Sequence, residues 1–271
     1  MRATFKPVDL LSLAFITFLG AVTLAAGSRI PHAAWVLARL FLLMVSDLLL
    51  ANTASRNDAP PWAALLHAFL PVLIVPVLFD TMGDIIPWVW PHYFDDLLIR
   101  ADFWLFGGRH PTVLLERWIH PVLTTVLQLA YISYYPMAVV LGAVLVAGKK
   151  RAAFDEAIFG IILCFYLSYL GYLLFPAVGP RFTLTYLQTR DLAAGPLAAA
   201  IQHTLNVLEN TKTDAFPSGH TAVALMTLYY AGKSRERVLT ALLLPAVTGL
   251  ILSTVYLRYH YVVDVIAGAA L

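Results

Sequence analysis

The sequence predicts an all-α fold, a polytopic membrane helix bundle, and three observations lead there. Of 271 residues, 60% are hydrophobic and only 13% are charged, whereas about a quarter are charged in a soluble domain. The mean hydropathy is +0.77. The apolar residues also gather into runs of about twenty, the length a helix needs to cross hydrocarbon. Short of a closed barrel, only a helix satisfies its own backbone polar groups in lipid. Each run is therefore predicted to be helical.

The runs are 8–26, 33–51, 62–79, 121–146, 157–175, 218–232 and 238–257, with an eighth beginning near His260. The first follows a short basic leader with Arg2 and Lys6. It is too long for a signal sequence and lacks a small-residue cleavage site, so it reads as a retained span. Between the third and fourth runs, 80–120 holds Trp88, Trp90, Trp104 and Trp118 among charges and prolines, which suits an interfacial segment. Between the fifth and sixth, 176–217 is too polar to span, but 192–208 is apolar enough for a short helix lying over the bundle. The eighth run is only about half a span long at Leu271, which predicts an incomplete final helix or a natural chain that continues.

Other classes fall away on composition. A formal charge of +2, with no basic stretch interleaved with aromatics, gives no footing for nucleic acid. The single cysteine, Cys164, lies in an apolar run, so it forms no disulfide within the chain and reads as packing. Arg39 and Asp47 in the second run are eight residues apart and are expected to find structural partners elsewhere in the bundle. A transporter or scaffold, the non-enzymatic alternative, calls for discontinuous spans in two related halves. The sequence has no such repeat.

Arg2 and Lys6 precede the first run, Lys149, Lys150 and Arg151 precede the fifth, and Lys233, Arg235 and Arg237 follow the sixth. With alternating spans these clusters share one side, which the positive-inside rule makes cytoplasmic. The opposite, outer side carries Arg100, Arg109, Arg117, Arg181, Arg190, Lys212 and Arg258, mostly in long loops where that rule carries little weight, and an anionic substrate is one explanation for them. The expected location is an inner membrane of bacterial type, with the site on the extracytoplasmic face.

Counting spans brings three segments to that outer side: Gly179-Pro180-Arg181, Pro217-Ser218-Gly219-His220, and Arg258-Tyr259-His260 with Asp264. Proline and serine before an apolar run mark a helix start, with Ser218 as cap and free N–H groups around Gly219 and His220. A phosphate oxygen binds well there. Asp264 is four residues after His260, so on a helix they share a face, and the carboxylate can hold one imidazole nitrogen protonated while the other attacks. Arg181 beside this group reads as a phosphate ligand. His32, His67, His92, His110, His120 and His203 read as interfacial polar residues. No third ligand or close-spaced histidine pair supports a metal at this site.

Pro217 to His220 is the intact second motif of the type 2 phosphatidic acid phosphatase superfamily, which also includes the vanadium haloperoxidases, and the chain resembles that family. Its third motif reads Ser-Arg, five residues, His, three residues, Asp. Ser253, His260 and Asp264 keep that register, while Thr254 stands in place of the arginine and Arg258 appears two residues before the histidine. The first motif, Lys, six residues, Arg-Pro, is absent, and Phe175 to Arg181 occupies its place. These departures are similar to the branch holding the fungal inositol phosphorylceramide synthases and their bacterial relatives, where Gly-Pro-Arg and Tyr-x-x-His-Tyr-x-x-Asp elements occur. Tyr256 departs from the latter by standing four residues before His260.

The resemblance covers about 176–268. It implies a single integral membrane domain, with 1–118 as N-terminal spans and interfacial segment and 119–271 as a six-helix phosphatase-type catalytic core. It implies attack on phosphorus by His260 to give a phosphohistidine, with His220 as proton donor and then base, and with no cofactor or metal. Arg181, Arg258, Ser218 and Gly219 would neutralise the phosphate, and Lys212 could replace the lost first-motif lysine. The implied substrate is a membrane lipid bearing a phosphate. The implied reaction is transfer to an alcohol or lipid acceptor, or release of inorganic phosphate. The fifteen residues of 218–232 reach only about 22 Å, short of the roughly 30 Å hydrocarbon core. Either the bilayer is crossed with help from Lys233 snorkelling, or the helix starts below the outer surface, which would place Ser218 and His220 at head-group depth or slightly deeper. A pocket lined by Arg181, Ser218, His220, Arg258 and His260 is expected, open sideways to the outer leaflet and roofed by part of 176–210.

Overall fold

The computed structural model describes residues 5–56, 58–192, 195–208 and 211–271. Arg2 and parts of the stretches 176–210 and 192–208 lie outside the described residues. Among the described residues all regular structure is helical: α1 (Pro7–Ala26), α2 (Ala33–Ala54), α3 (Pro61–Val89), α4 (Asp95–Leu105), α5 (Pro111–Leu114), α6 (Pro121–Ile132), α7 (Tyr134–Ala147), α8 (Arg151–Leu174), α9 (Pro180–Thr183), α10 (Pro196–Leu208), α11 (Gly219–Lys233), α12 (Arg237–Tyr256) and α13 (Val262–Ala270). Pro7, Pro61, Pro111, Pro121 and Pro180 each open a helix, the position where a missing N–H costs nothing.

The chain is an integral membrane bundle. Among the described residues α1, α2, α3, α8 and α12 are long and apolar enough to cross a bilayer, and α6 with α7 makes a sixth if the bent pair is one span. Large apolar side chains point outward rather than in: Leu10, Phe41, Leu49 and Leu242 are each more than half exposed. A surface of that kind suits lipid, since water-facing surfaces rarely carry contiguous apolar area of this extent.

Two spans differ from the sequence reading for identifiable reasons. The run 121–146 is expected as one helix, but the chain bends by 45° between α6 and α7. Pro136 sits in the first turn of α7 and has no N–H to bond back across the break. The third span runs on to Val89, through residues assigned by sequence to the interfacial segment. Its extension carries Asp84, whose carboxylate lies 2.9 Å from the Arg39 guanidinium of α2, with Asp80 at 3.9 Å. The Arg39 partner thus keeps two carboxylates on a helix face.

The basic clusters do meet at one end. Lys6 pairs with Asp155 at 2.8 Å and Lys150 with Glu236 at 2.6 Å, while Lys233 pairs with Glu156. α11 lies in the middle of the C-terminal half and packs against α7, α8, α12 and α13. Its first six residues, Gly219 to Ala224, are all buried, so its N-terminal part is enclosed on every side. α1, α2 and α3 pack with one another, and α1 and α3 also lean on α8.

Candidate active site

α11 is capped by Ser218, whose hydroxyl oxygen accepts from the Thr221 N–H at 3.3 Å, as the sequence leads one to expect. This cap places His220 in the first turn. Its ring is 9% exposed and is sandwiched by Tyr131 and Tyr134, with ring centroids at 4.7 and 4.4 Å.

α12 ends at Tyr256, and the chain reverses through Arg258, which adopts the left-handed conformation with φ 66°. The N–H groups of Tyr259 and His260 then both donate to the Thr254 carbonyl, at 2.9 and 3.0 Å. Thr254 thus serves the turn through its main chain, and this reversal delivers His260 to the head of α11. His260 Nε2 stands 3.5 Å from His220 Nδ1.

The other His260 nitrogen shows how the ring is held. Nδ1 lies 2.8 Å from the Ala215 carbonyl and 3.5 Å from Asp264 Oδ2. A carbonyl can only accept, so Nδ1 carries the hydrogen and a neutral His260 keeps its lone pair on Nε2. Ala215 is itself fixed, because its N–H donates to the Ala177 carbonyl at 3.0 Å. His260 precedes α13 rather than lying on it, so it does not share a helix face with Asp264. Asp264 instead accepts the Tyr261 N–H at 2.7 Å in the first turn of α13, and its own carbonyl takes the Ser218 N–H at 2.9 Å. Burial works to lower the His260 pKa. The hydrogen bond and charge of Asp264, with the charge of Asp214, outweigh it and hold the pKa above its ordinary value.

An open cavity faces the pair, lined by His220, His260, Arg181, Lys212, Asp214, Tyr131 and Tyr259 among others. Arg181 lies over the rings of Phe182 and Tyr259, at 4.7 and 5.4 Å from their centroids. Of the residues singled out from sequence, His220, His260, Arg181 and Lys212 line this cavity. Ser218 and Gly219 are buried at the head of α11 behind it, and Asp264 is buried behind His260. Arg258 turns away: its guanidinium donates to Glu116 at 2.9 Å, to the Arg190 carbonyl at 2.6 Å and to Gln188 at 3.1 Å. Glu116 also accepts from the Thr189 N–H and hydroxyl, so this buried pair pins the 188–190 segment.

Sequence reasoning missed the device that positions both loops. α4 carries Asp95 and Asp102, seven residues apart and thus on one helix face. Asp95 accepts from the Val178 and Gly179 N–H groups at 2.9 Å each and from the Tyr261 hydroxyl at 2.8 Å. Asp102 accepts from the Val262 and Val263 N–H groups, both at 2.9 Å, and so caps α13. Gly179 stands at φ +87°, and a Cβ there would meet the Tyr259 carbonyl oxygen at 2.5 Å. Glycine is required for that approach. Asp214 was also missed. It stands in the cavity wall, three residues before the proline of the Pro-Ser-Gly-His motif.

No solved structure matches this chain. A PA-phosphatase related-family protein of Dictyostelium discoideum is 25% identical over 215 residues, covering 70% of this chain and 37% of that relative. The chain therefore spans well under half the length of the curated relative it matches. Residues 96–271, which hold the buried Arg258–Glu116 pair and both histidines, match the PAP2 superfamily, and the chain belongs to that superfamily.

Proposed function

We propose that this protein is a membrane phosphotransferase acting on lipid phosphates or phospho-head groups through a phosphohistidine at His260. The observation that carries the reading is the His260–His220 contact of 3.5 Å on the wall of a cavity that also holds Arg181 and Lys212. A phosphoryl group enters at this contact and parts the two rings. The His260 Nε2 lone pair forms the N–P bond as the P–O bond breaks, and His220 gives its proton to the departing oxygen. In the second step an acceptor hydroxyl loses its proton to His220, forms the new P–O bond and releases His260.

Arg181 and Lys212 neutralise the equatorial oxygens, where phosphoryl-transfer sites do most of their work. Ser218 and Gly219 contribute by opening α11, whose N-terminal end adds positive potential. Arg258 serves as a positioning residue through Glu116, in place of the phosphate-binding role that its sequence position suggests. Asp264 raises the basicity of His260. Residues 119–271 form the catalytic core, clamped by Asp95 and Asp102 of α4 just ahead of it. The substrate phosphate lies at head-group depth on the face opposite the lysine clusters, the extracytoplasmic face.

Transfer is favoured over hydrolysis by the Gly-Pro-Arg segment and the altered third motif, which resemble the inositol phosphorylceramide synthase branch. The deciding experiment incubates the purified full chain with a lipid phosphate, with and without candidate acceptor lipids. Transfer predicts phosphorylated acceptor and little free phosphate. Free phosphate released at the same rate whatever acceptor is supplied would make the protein a lipid phosphate phosphatase.

A further inference from the structure

The N-terminal helices hold a second group of chemistry-bearing side chains, separate from the histidine pair. Asp9 of α1, Asp47 of α2 and His67 of α3 converge so that one ligand atom from each lies within 4.8 Å of the others. Both aspartates are fully buried and His67 is 5% exposed, which corrects the sequence reading of His67 as an interfacial polar residue. His67 Nε2 lies 3.0 Å from Asp9 Oδ2. Both oxygens of Asp47, and the second oxygen of Asp9, are buried without a hydrogen-bond partner.

With both carboxyls ionised, their charges do not close among themselves. Two carboxylates and a neutral imidazole leave two negative charges among apolar helices, and a protonated imidazole still leaves one. A buried charge without a partner costs several kcal/mol, about 3–5 where a buried pair is broken, and buried polar atoms normally find partners. A divalent cation held by two carboxylates and a neutral imidazole brings the sum to zero and occupies the unpartnered oxygens. Ligand bonds of about 2.0–2.2 Å in tetrahedral geometry would bring the donor atoms to roughly 3.4 Å apart, a closure within reach of side-chain rotation. The imidazole argues against calcium or magnesium, which prefer all-oxygen shells, and for a borderline ion such as zinc.

We infer that Asp9, Asp47 and His67 form a binding site for a divalent transition-metal ion of the zinc class, which ties α1, α2 and α3 together. The site stands on helices that carry none of the residues facing the cavity, and it does not depend on the proposed reaction. Asp9 lies one turn from Lys6, at the end of the bundle marked by the Lys6–Asp155 pair. The ion therefore has a structural role.

The test dialyses the full chain in detergent against micromolar zinc and measures bound metal, then repeats the titration with cobalt(II), whose visible absorption reports the ligand set. About one ion per chain is expected. Asp47→Asn and His67→Gln should each weaken binding by about tenfold or more. Zinc should raise the thermal midpoint of the wild-type chain and leave that of Asp47→Asn unmoved. If the variants do not fold, the cobalt spectrum of the wild type still decides. No zinc or cobalt bound by the wild type would overturn the proposal, as would equal binding by Asp47→Asn. A metal-free wild type that melts no lower than Asp47→Asn and gains nothing from zinc would show Asp47 to be a protonated carboxyl instead, which also overturns it.

Discussion

His260 Nε2 faces His220 Nδ1 at 3.5 Å, while His260 Nδ1 is fixed at 2.8 Å to the Ala215 carbonyl. One main-chain acceptor thus sets the tautomer of His260 and presents its Nε2 lone pair to the second histidine. If the two rings work as one unit, their losses do not add. His260→Ala and His220→Ala are each expected to lower turnover by about a thousandfold or more, and the double variant to be little worse than either. Steady-state assays of the three variants, with folding checked in detergent, test this. Multiplicative losses would separate the roles of the two residues.

The pH dependence follows from the raised His260 pKa. Attack needs the neutral ring, so kcat/KM falls as pH falls through that pKa, and the acid limb should lie above the ordinary 6.5. Asp264→Asn keeps the shape and removes the carboxylate that opposes burial. The acid limb should then move to lower pH, with a smaller loss of rate than in His260→Ala. A limb that stays in place would show that Asp264 acts only by capping α13.

Arg258 and Glu116 form a buried pair at 2.9 Å. Removing either partner leaves a buried charge, at a cost of about 3–5 kcal/mol. Arg258→Ala and Glu116→Ala should therefore both lower stability. The double variant should lose less than the sum of the two, as denaturation in detergent would reveal. Arg181→Ala should behave in the opposite way, with stability kept and KM for a lipid phosphate raised. Unchanged stability in Arg258→Ala, with a large rise in KM, would return Arg258 to the phosphate.

Asp95 touches neither histidine, yet it accepts three hydrogen bonds from the segments carrying Arg181 and His260. Asp95→Ala strands the Val178 and Gly179 N–H groups, each costing about 1–3 kcal/mol when buried and unsatisfied. Turnover and thermal midpoint should fall together. Full activity in Asp95→Ala would show that the loops hold their places without α4.

Much of this was legible in the sequence because membrane helices announce themselves by length and because Pro-Ser-Gly-His names its own helix cap. The convergence of Arg181, His220 and His260 followed from counting spans. What escaped was set by partners distant in sequence. Asp80 and Asp84 read as the end of a span until Arg39 supplies their counter-charge. Asp95 and Asp102 read as interfacial charges, because nothing local shows that the N–H groups of Gly179 and Val262 will need them. Arg258 sits two residues from His260 in sequence, and only the left-handed turn at its own φ sends its side chain to Glu116 instead of the cavity.

Covalent chemistry at His260 is tested most directly by trapping the intermediate. p-Nitrophenyl phosphate has a leaving group that departs without an acid, so His220→Ala should still be phosphorylated by it but lack the base for the second step. Rapid acid-free quenching and mass mapping of that variant should find phosphate on Nε2 of His260, and none in the His220→Ala/His260→Ala double variant. Turnover of the substrate by the wild type with no phosphohistidine in either protein, or phosphate mapped to another residue, would contradict the account.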